Sequence, residues 1–215
     1  MPEEGPYPVT VQLLPATEGR NRLTTAFRVL LAIPHILLVG GHLAFAGMIG
    51  WKNDGMSVGS GTGLLGAVAA IAAVISWFFI MLTGMHPDGL WRLTAYYLRW
   101  RVRAVAYLTL LRDEYPPFGD GEYPVELVLA EPPESRDRLT VFFRLLITVP
   151  HLIALCFLAV AWVFTTFIAW VAILFTGRFP EALYGFAIGM LAWSTRVEAY
   201  LLLLHDEYPP FSLRV

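Results

Sequence analysis

Residues 138–180 read RLTVFFRLLITVPHLIALCFLAVAWVFTTFIAWVAILFTGRFP, the longest apolar stretch of the chain. From Leu152 to Phe175 it contains no charged residue, and it exceeds the ~20 apolar residues that cross ~30 Å of hydrocarbon as a helix. The pattern predicts a membrane-spanning helix that ends at the turn 177–180. Residues 138–149 place two arginines among large apolar residues, which is typical of an interfacial amphipathic helix. Pro150 predicts a kink between the two.

The same pattern occurs twice in the chain. The recurring elements are Tyr7-Pro8-Val9 and Tyr123-Pro124-Val125, Arg28 and Arg144, Pro34-His35 and Pro150-His151, and the six residues Asp113 to Phe118 and Asp206 to Phe211. The chain is therefore interpreted as two membrane repeats, the first spanning residues 1–118 and the second spanning residues 119–215.

The first repeat is longer than the second. Residues near its start align with the second repeat at an offset of 116, and residues from Trp77 onward align at an offset of 93, so the first repeat carries 23 extra residues near 40–63. The insert could form a loop outside the membrane or split one span into two. Four crossings are favoured, because one extra crossing in the first repeat would invert the second repeat and conflict with the distribution of the arginines. Five or six crossings stay open.

The composition indicates a membrane protein. The 215 residues are 57% hydrophobic and only 15% charged, with a mean hydropathy of +0.60, which is far more apolar than an average soluble domain. Long apolar runs cover Leu23–Ile49, Leu64–Thr83, Leu139–Thr176 and Leu183–Leu204, with a more polar run at Leu90–Leu111. The expected fold is an all-α integral membrane protein with about four transmembrane helices and interfacial amphipathic helices.

Each repeat opens with a short alternating segment, Val9–Leu13 and Val125–Leu129. Period-two alternation after a proline predicts a short β-strand. The two strands could pair with each other or with the Tyr-Pro-Pro-Phe segments, as a small cytoplasmic sheet.

The arginines are concentrated in the N-terminal arm, the central linker and the C-terminal tail. Since basic residues are enriched on the cytoplasmic side of a membrane, both termini and the linker are expected in the cytoplasm. The expected location is the bacterial inner membrane, with the chain crossing it several times.

The combined motifs resemble a bacterial family of small polytopic membrane proteins that carries a domain of unknown function. The resemblance rests on Asp137-Arg138, Phe143-Arg144, Pro150-His151, Thr176 to Pro180 and Asp206 to Phe211. The first repeat departs from this pattern, because Thr83-Gly84-Met85-His86-Pro87 replaces the Gly-Arg-Phe-Pro turn. The resemblance implies a duplicated membrane domain and no established activity.

The main candidate site is one constellation that occurs in both repeats: Trp100, Arg103 and Tyr107, and Trp193, Arg196 and Tyr200. Spacings of three and four place the three side chains on one helical face. Arginines within a membrane are functional candidates by default, so Arg103 and Arg196 could bind an anionic lipid or ligand in a shared crevice. The alternative is that they only reach the lipid headgroups, with Trp and Tyr as anchors.

Other recurring polar residues have simpler interpretations. Arg22, Arg28, Arg138 and Arg144 are expected as interfacial anchors. His35 and His151 are weak metal candidates, and an imidazole that donates to a carbonyl freed by the preceding proline explains them equally well. The Asp-Glu pairs at 113–114 and 206–207 are expected to cap helices, to form ion pairs with arginines of the neighbouring arm, or to form a docking surface.

No catalytic or nucleotide-binding motif is present in the sequence, so no enzymatic activity, cofactor or nucleic-acid partner is expected. The leading hypothesis is an integral-membrane accessory or scaffold protein that docks on or modulates a larger membrane complex. The expected partners are membrane lipids and either a membrane protein or further copies of the chain. The alternative is a protein that binds or transports a lipid or small anionic solute in a crevice between the repeats.

Overall fold

A computed structural model describes residues 7–42, 49–52, 55–58, 62–131 and 135–214. In chain order the elements are β1 (Val9–Leu13), α1 (Arg22–Ala26), α2 (Arg28–Val39), β2 (Ile49–Lys52), β3 (Gly55–Val58), α3 (Gly63–Thr83), α4 (Asp88–Leu108), β4 (Val125–Leu129), α5 (Arg138–Thr176) and α6 (Glu181–Leu201).

The opening strands of the two repeats pair with each other. β1 and β4 form an antiparallel pair in which Val11 lies opposite Leu127, and Val9 and Leu13 lie opposite Leu129 and Val125. Of the two pairings that the sequence left open, the structure shows the one between the strands of the two repeats. Because the central pair joins equivalent positions, an approximate two-fold axis passes through it.

α5 is one continuous helix of 39 residues. Asp137 caps its N-terminus by accepting a hydrogen bond from the Leu139 amide, and Gly177, in the left-handed conformation (φ 72°), caps its C-terminus. The sequence predicted an interfacial helix and a separate span, whereas the structure runs both through Pro150 as a single helix.

In the first repeat the equivalent helix is interrupted by the insert. The chain leaves at Gly40 and returns at Gly63, and a Cβ on Gly63 would lie only 2.6 Å from the Gly40 nitrogen. Gly63 also has φ +76°, so only glycine fits this junction. α1, α2 and α3 together therefore correspond to α5. Within the insert, β2 pairs with β3, and the prediction of a protruding or re-entrant loop falls largely outside the described residues.

The long helices of the two repeats are antiparallel. The Arg20 amide donates to the Gly177 carbonyl at 3.0 Å, and the Arg136 amide donates to the Gly84 carbonyl at 2.9 Å. Each long helix thus begins where the other ends. The reciprocal contacts require the two-fold axis to be perpendicular to both helices.

α4 and α6 form the core of the molecule. Every residue from Gly189 to Tyr200 in α6 is buried, and α6 packs against α5, α4 and β1. The result is a layered arrangement, with the long helices on one side of α4 and α6 and the β1–β4 pair on the other.

The expectation of about four crossings is wrong for the described helices. Only α3 and α5 are long and apolar enough to cross a membrane, while α2 is a shorter apolar helix. The run Leu183–Leu204, which was expected to cross, forms most of α6, where Arg196 and Glu198 are buried among protein side chains. Its apolar residues fill the protein core.

Candidate functional site

The most prominent surface is the outer face of α1, α2, α3 and α5, which we call the long-helix face. Large apolar side chains are exposed along its whole length, and Phe157 and Phe175 are 77% and 78% exposed. Others include Phe27, Leu30, Leu37, Leu64, Ile71, Phe78, Leu82, Phe142, Leu146, Ile153, Val160, Phe164 and Phe167. Soluble monomers rarely expose an apolar patch larger than about 300–600 Å², so this face requires an apolar partner.

Between its two ends, the long-helix face carries no exposed charged side chain. Between residues 23–39, 63–83 and 139–176 the only Asp, Glu, Lys or Arg residues are Arg28 and Arg144, and both are buried. α5 alone is about 58 Å long at ~1.5 Å per residue, roughly twice the ~30 Å of a bilayer's hydrocarbon core. The apolar face is thus longer than one crossing requires.

Arg28 and Arg144 point into the protein, where each belongs to an arginine–aspartate cluster. In the first repeat, Nη2 of Arg28 and Nη2 of Arg20 contact the Asp113 carboxylate at 2.5 and 2.8 Å. Nη1 of Arg28 donates to the Arg112 carbonyl at 2.7 Å, and the guanidinium lies 4.1 Å from the centre of the Tyr107 ring.

The second repeat builds the same cluster from equivalent residues. Arg136 and Arg144 contact the Asp206 carboxylate at 2.7 and 2.5 Å, and Arg144 lies 4.2 Å from the centre of the Tyr200 ring. Of the three roles expected for these aspartates, the structure shows ion pairs with arginines of the neighbouring arm. The expectation that Arg28 and Arg144 are interfacial anchors is wrong, because both are buried and paired with a carboxylate inside the protein. The carboxylate offsets the cost of burying the guanidinium charge.

A strained backbone turn completes each cluster. Leu110 and Leu203 follow the ends of α4 and α6 and adopt positive φ angles of 66° and 63°, which are rare for residues other than glycine. Their carbonyls accept hydrogen bonds from Arg20 at 2.6 Å and Arg136 at 2.9 Å. The arginines therefore offset part of the strain.

The ion pairs set the protonation of the aspartate in the first cluster. Partial burial raises the pKa of Asp113, but the hydrogen bond from Arg20, the Asn21 amide and the charges of both arginines outweigh it and hold the pKa below its ordinary value. Asp113 is therefore ionised at neutral pH.

His35 and His151 lie in equivalent aromatic clusters. The Trp100 indole donates to Nδ1 of His35 at 3.0 Å, and the Trp193 indole donates to Nδ1 of His151 at 3.1 Å. His35 stacks on Phe118 with ring centres 4.6 Å apart, and in the second repeat His151 stacks on Phe211 at 3.8 Å. Since Nδ1 accepts from an indole, it is not free to bind a metal.

The arginines predicted as a ligand site, Arg103 and Arg196, bind backbone carbonyls instead. Arg103 donates to the Gly119 carbonyl at 2.9 Å, and Arg196 donates to the carbonyls of Ser212 and Arg214 at 2.8 and 2.9 Å. Each arginine thus fixes the segment that follows its own Tyr-Pro-Pro-Phe motif, and the structure shows no contact between them. Arg22 and Arg138 are exposed at the starts of the long helices, beside Gly177 and Gly84.

One buried polar network was missed from the sequence. Arg101 of α4 pairs with Glu198 of α6 at 3.1 Å, and the Tyr97 hydroxyl donates to Glu198 at 3.0 Å. Glu198 aligns with Val105 in the first repeat and Arg101 with Ser194 in the second. The sequence did contain a clue to this contact. Arg101 and Glu198 carry opposite charges at positions where the other repeat has an uncharged residue, which is typical of a contact made only once.

The fold and its buried clusters define a duplicated, mostly helical protein whose apolar long-helix face suits a membrane. Within the described residues, no group of histidine, cysteine, aspartate or glutamate is arranged to hold a metal ion. The chain belongs to the family described as "Domain of unknown function (DUF4389)", which matches residues 62–119 and 138–212. No match was found among curated proteins or among solved structures.

Proposed function

We propose that this protein is a membrane-bound accessory or scaffold protein of the bacterial inner membrane, without a catalytic role, that binds lipid through its long-helix face. The observation that supports this most strongly is the uncharged, exposed apolar surface along α3 and α5. The charged side chains Arg28 and Arg144, which could have disfavoured lipid contact, are both turned inward.

The two-fold axis supports an arrangement in which the long helices lie in the plane of one leaflet. If the long helices crossed the membrane upright, the two-fold axis would lie in the membrane plane. Because this axis passes through the β1–β4 pair, the pair would then lie at the middle depth of the bilayer. Gln12 and Glu126 of that pair are exposed, and an ionised side chain at mid-depth is costly. With the long helices in the plane, the axis follows the membrane normal and the strands lie in water.

The in-plane arrangement keeps one part of the sequence prediction and replaces another. Both strands pack on α4 and α6, and Leu213 of the C-terminal tail packs on Gly189 of α6, which supports both termini and the linker on the cytoplasmic side. The competing arrangement is the multi-pass one, with α3 and α5 as its candidate spans.

Depth measurements distinguish the two arrangements. Cys156 is the only cysteine, is exposed, and lies near the middle of α5. We would attach a spin label there and, in a Cys156→Ala background, at Leu139→Cys or Phe175→Cys, in reconstituted vesicles. The in-plane arrangement requires similar depths at all three positions, with Glu126→Cys accessible to water. Labels at 139 and 175 on opposite membrane surfaces would reject it.

Membrane binding itself has a matched control. Aspartate at Phe157 and Phe164, both on the long-helix face, should reduce flotation with vesicles at least tenfold, since an aspartate in hydrocarbon costs ~2.5 kcal/mol or more. Val128→Asp adds one aspartate to an exposed position of β4 and should leave flotation unchanged, whereas Phe157→Asp alone should already reduce it. Equal losses in both variants would argue against the long-helix face as the contact.

The scaffold role needs a surface for a partner, and the in-plane arrangement leaves the strand side free in water. The alternative role, a crevice for an anionic solute lined by Arg103 and Arg196, has little support, because both guanidinium groups bind carbonyls of their own repeat. Native mass spectrometry after gentle extraction from the membrane would show a defined subunit or a second copy of this chain. Release of a monomer alone would count against the scaffold role.

A further inference from the structure

Two cavities occupy equivalent positions on the long-helix face. One, which we call the Arg144 cavity, has a volume of about 350 Å³ and is lined by Ala73, Val74 and Trp77 of the first repeat and Arg144, Leu145 and Leu203 of the second. The other, the Arg28 cavity, has about 330 Å³ and is lined by Thr166, Phe167 and Trp170 of the second repeat and Arg28, Val29 and Leu110 of the first. Each lies in a crevice between the repeats.

Both cavities open toward the surface that we propose to lie in lipid. Val74 and Leu145 beside the first, and Val29 and Phe167 beside the second, are each more than half exposed on the long-helix face. Apart from Thr166 and the two arginines, the wall side chains are apolar. Volumes near 300 Å³ lie at the lower end of small-ligand pockets.

The single charged residue in each wall has one side-chain nitrogen without a hydrogen-bond partner. Both terminal nitrogens of Arg28 bind Asp113 or backbone carbonyls, and those of Arg144 bind Asp206 or backbone carbonyls. Nε of each arginine is buried and has no hydrogen-bond partner. Each cluster combines two arginines with one aspartate, so a positive charge is left at the inner end of each cavity.

We propose that each cavity binds one long-chain fatty acid, with its carboxylate beside the arginine cluster and its chain directed through the mouth into the leaflet. An apolar wall suits an acyl chain, and a buried donor beside a net positive cluster suits a carboxylate. A diacyl phospholipid would have to bring a bulky headgroup into an apolar cavity of this size. The inference rests on the proposed membrane contact, because the cavity mouths then face the leaflet and the acyl chain of the fatty acid lies among the lipid chains.

The equivalence of the cavities permits a stoichiometric test. Ala73 and Thr166 occupy matching wall positions, and phenylalanine at either would fill one cavity. Native mass spectrometry of delipidated protein titrated with palmitate should show two bound molecules for the unmodified protein, one for Ala73→Phe, one for Thr166→Phe and none for the double variant. Val68→Phe, which enlarges an exposed residue of α3 outside the cavity walls, should retain two.

The chemistry of the polar end is tested with hexadecanol, which keeps the chain and lacks the charge. It should bind at least tenfold more weakly than palmitate. Equal binding of the two, undiminished stoichiometry in the double variant, or binding of diacyl phospholipid alone would overturn the proposal. Vesicle flotation of the same variants separates the two ideas, since flotation without palmitate binding rejects the cavities and leaves the membrane contact intact.

Discussion

Trp193 donates a hydrogen bond from its indole nitrogen to Nδ1 of His151 at 3.1 Å, and Trp100 makes the same bond to His35 at 3.0 Å. Each bond joins a core helix to the long helix of its own repeat, α6 to α5 and α4 to α2. Since an indole only donates, Nδ1 must be the acceptor, and the neutral ring carries its proton on Nε2.

Removing one of these indoles should destabilise the protein. Trp193→Phe leaves Nδ1 of a buried histidine without a donor, and we expect a loss of about 1–3 kcal/mol in the free energy of unfolding. Trp100→Phe should cost a similar amount, because its contact is equivalent. Unfolding in a single detergent would measure both, with Phe157→Leu on the exposed face as the control. No loss in either variant would contradict the structural role.

Neutralising an aspartate of the arginine clusters should have a larger effect. Asp206→Asn leaves Arg136 and Arg144 buried without a counter-charge, and we expect a loss of about 3 kcal/mol. Asp113→Asn should behave alike in the first repeat. Glu126→Gln removes an exposed carboxylate and should change stability by less than about 0.5 kcal/mol. If Asp206→Asn were as mild as this control, the cluster would contribute little to stability.

His205 should make stability depend on pH. Burial, with the charges of Arg144 and Arg136, lowers the pKa of His205 to about 3. The unfolded chain therefore binds a proton that the folded chain does not between pH ~6.5 and 3, so the free energy of unfolding falls as pH drops through this range. His205→Gln should make the dependence shallower by up to ~1.4 kcal/mol per pH unit. An identical slope in unfolding experiments between pH 6.5 and 4.5 would contradict the assignment.

The insert should be dispensable for folding. Deleting residues 40–62 joins Val39 to Gly63 and reproduces the uninterrupted pattern of α5, in which Leu155 is followed by Cys156. We expect a folded protein in which α2 and α3 form one helix, because their ends already meet at Gly40 and Gly63. Circular dichroism and cooperative thermal unfolding would check this. A scrambled insert of the same length is the control, and failure to fold only on deletion would contradict the prediction.

Much of the architecture was accessible from local sequence. The duplication and the 23 extra residues follow from comparing the two halves of the sequence. The strands at Val9–Leu13 and Val125–Leu129 follow from the alternation of neighbouring residues. The ion pairs of Asp113 and Asp206 were also predictable in kind, because a carboxylate and an arginine that recur together in both repeats suggest a contact.

Other features depend on which face of each helix is covered. Arg28 and Arg144 sit in apolar runs that look interfacial, yet tertiary packing turns them toward carboxylates from distant parts of the chain. The run Leu183–Leu204 has the length of a span, but it packs against α4, α5 and β1 and so forms the core instead of facing lipid. α6 is also less apolar than α3 and α5, because it carries Arg196 and Glu198, and it is not among the helices apolar enough to cross a membrane.

The sequence alone determined that this chain is a duplicated, apolar protein with buried or lipid-facing helices, because repetition and hydropathy are properties of the chain itself. Three features became visible only in the folded protein: the repeats are antiparallel about a two-fold axis, the apolar surface is concentrated on one layer, and two cavities form between the repeats. These features arise from contacts between residues tens of positions apart, and hydrophobicity, which has no direction, does not specify which of many such contacts will form.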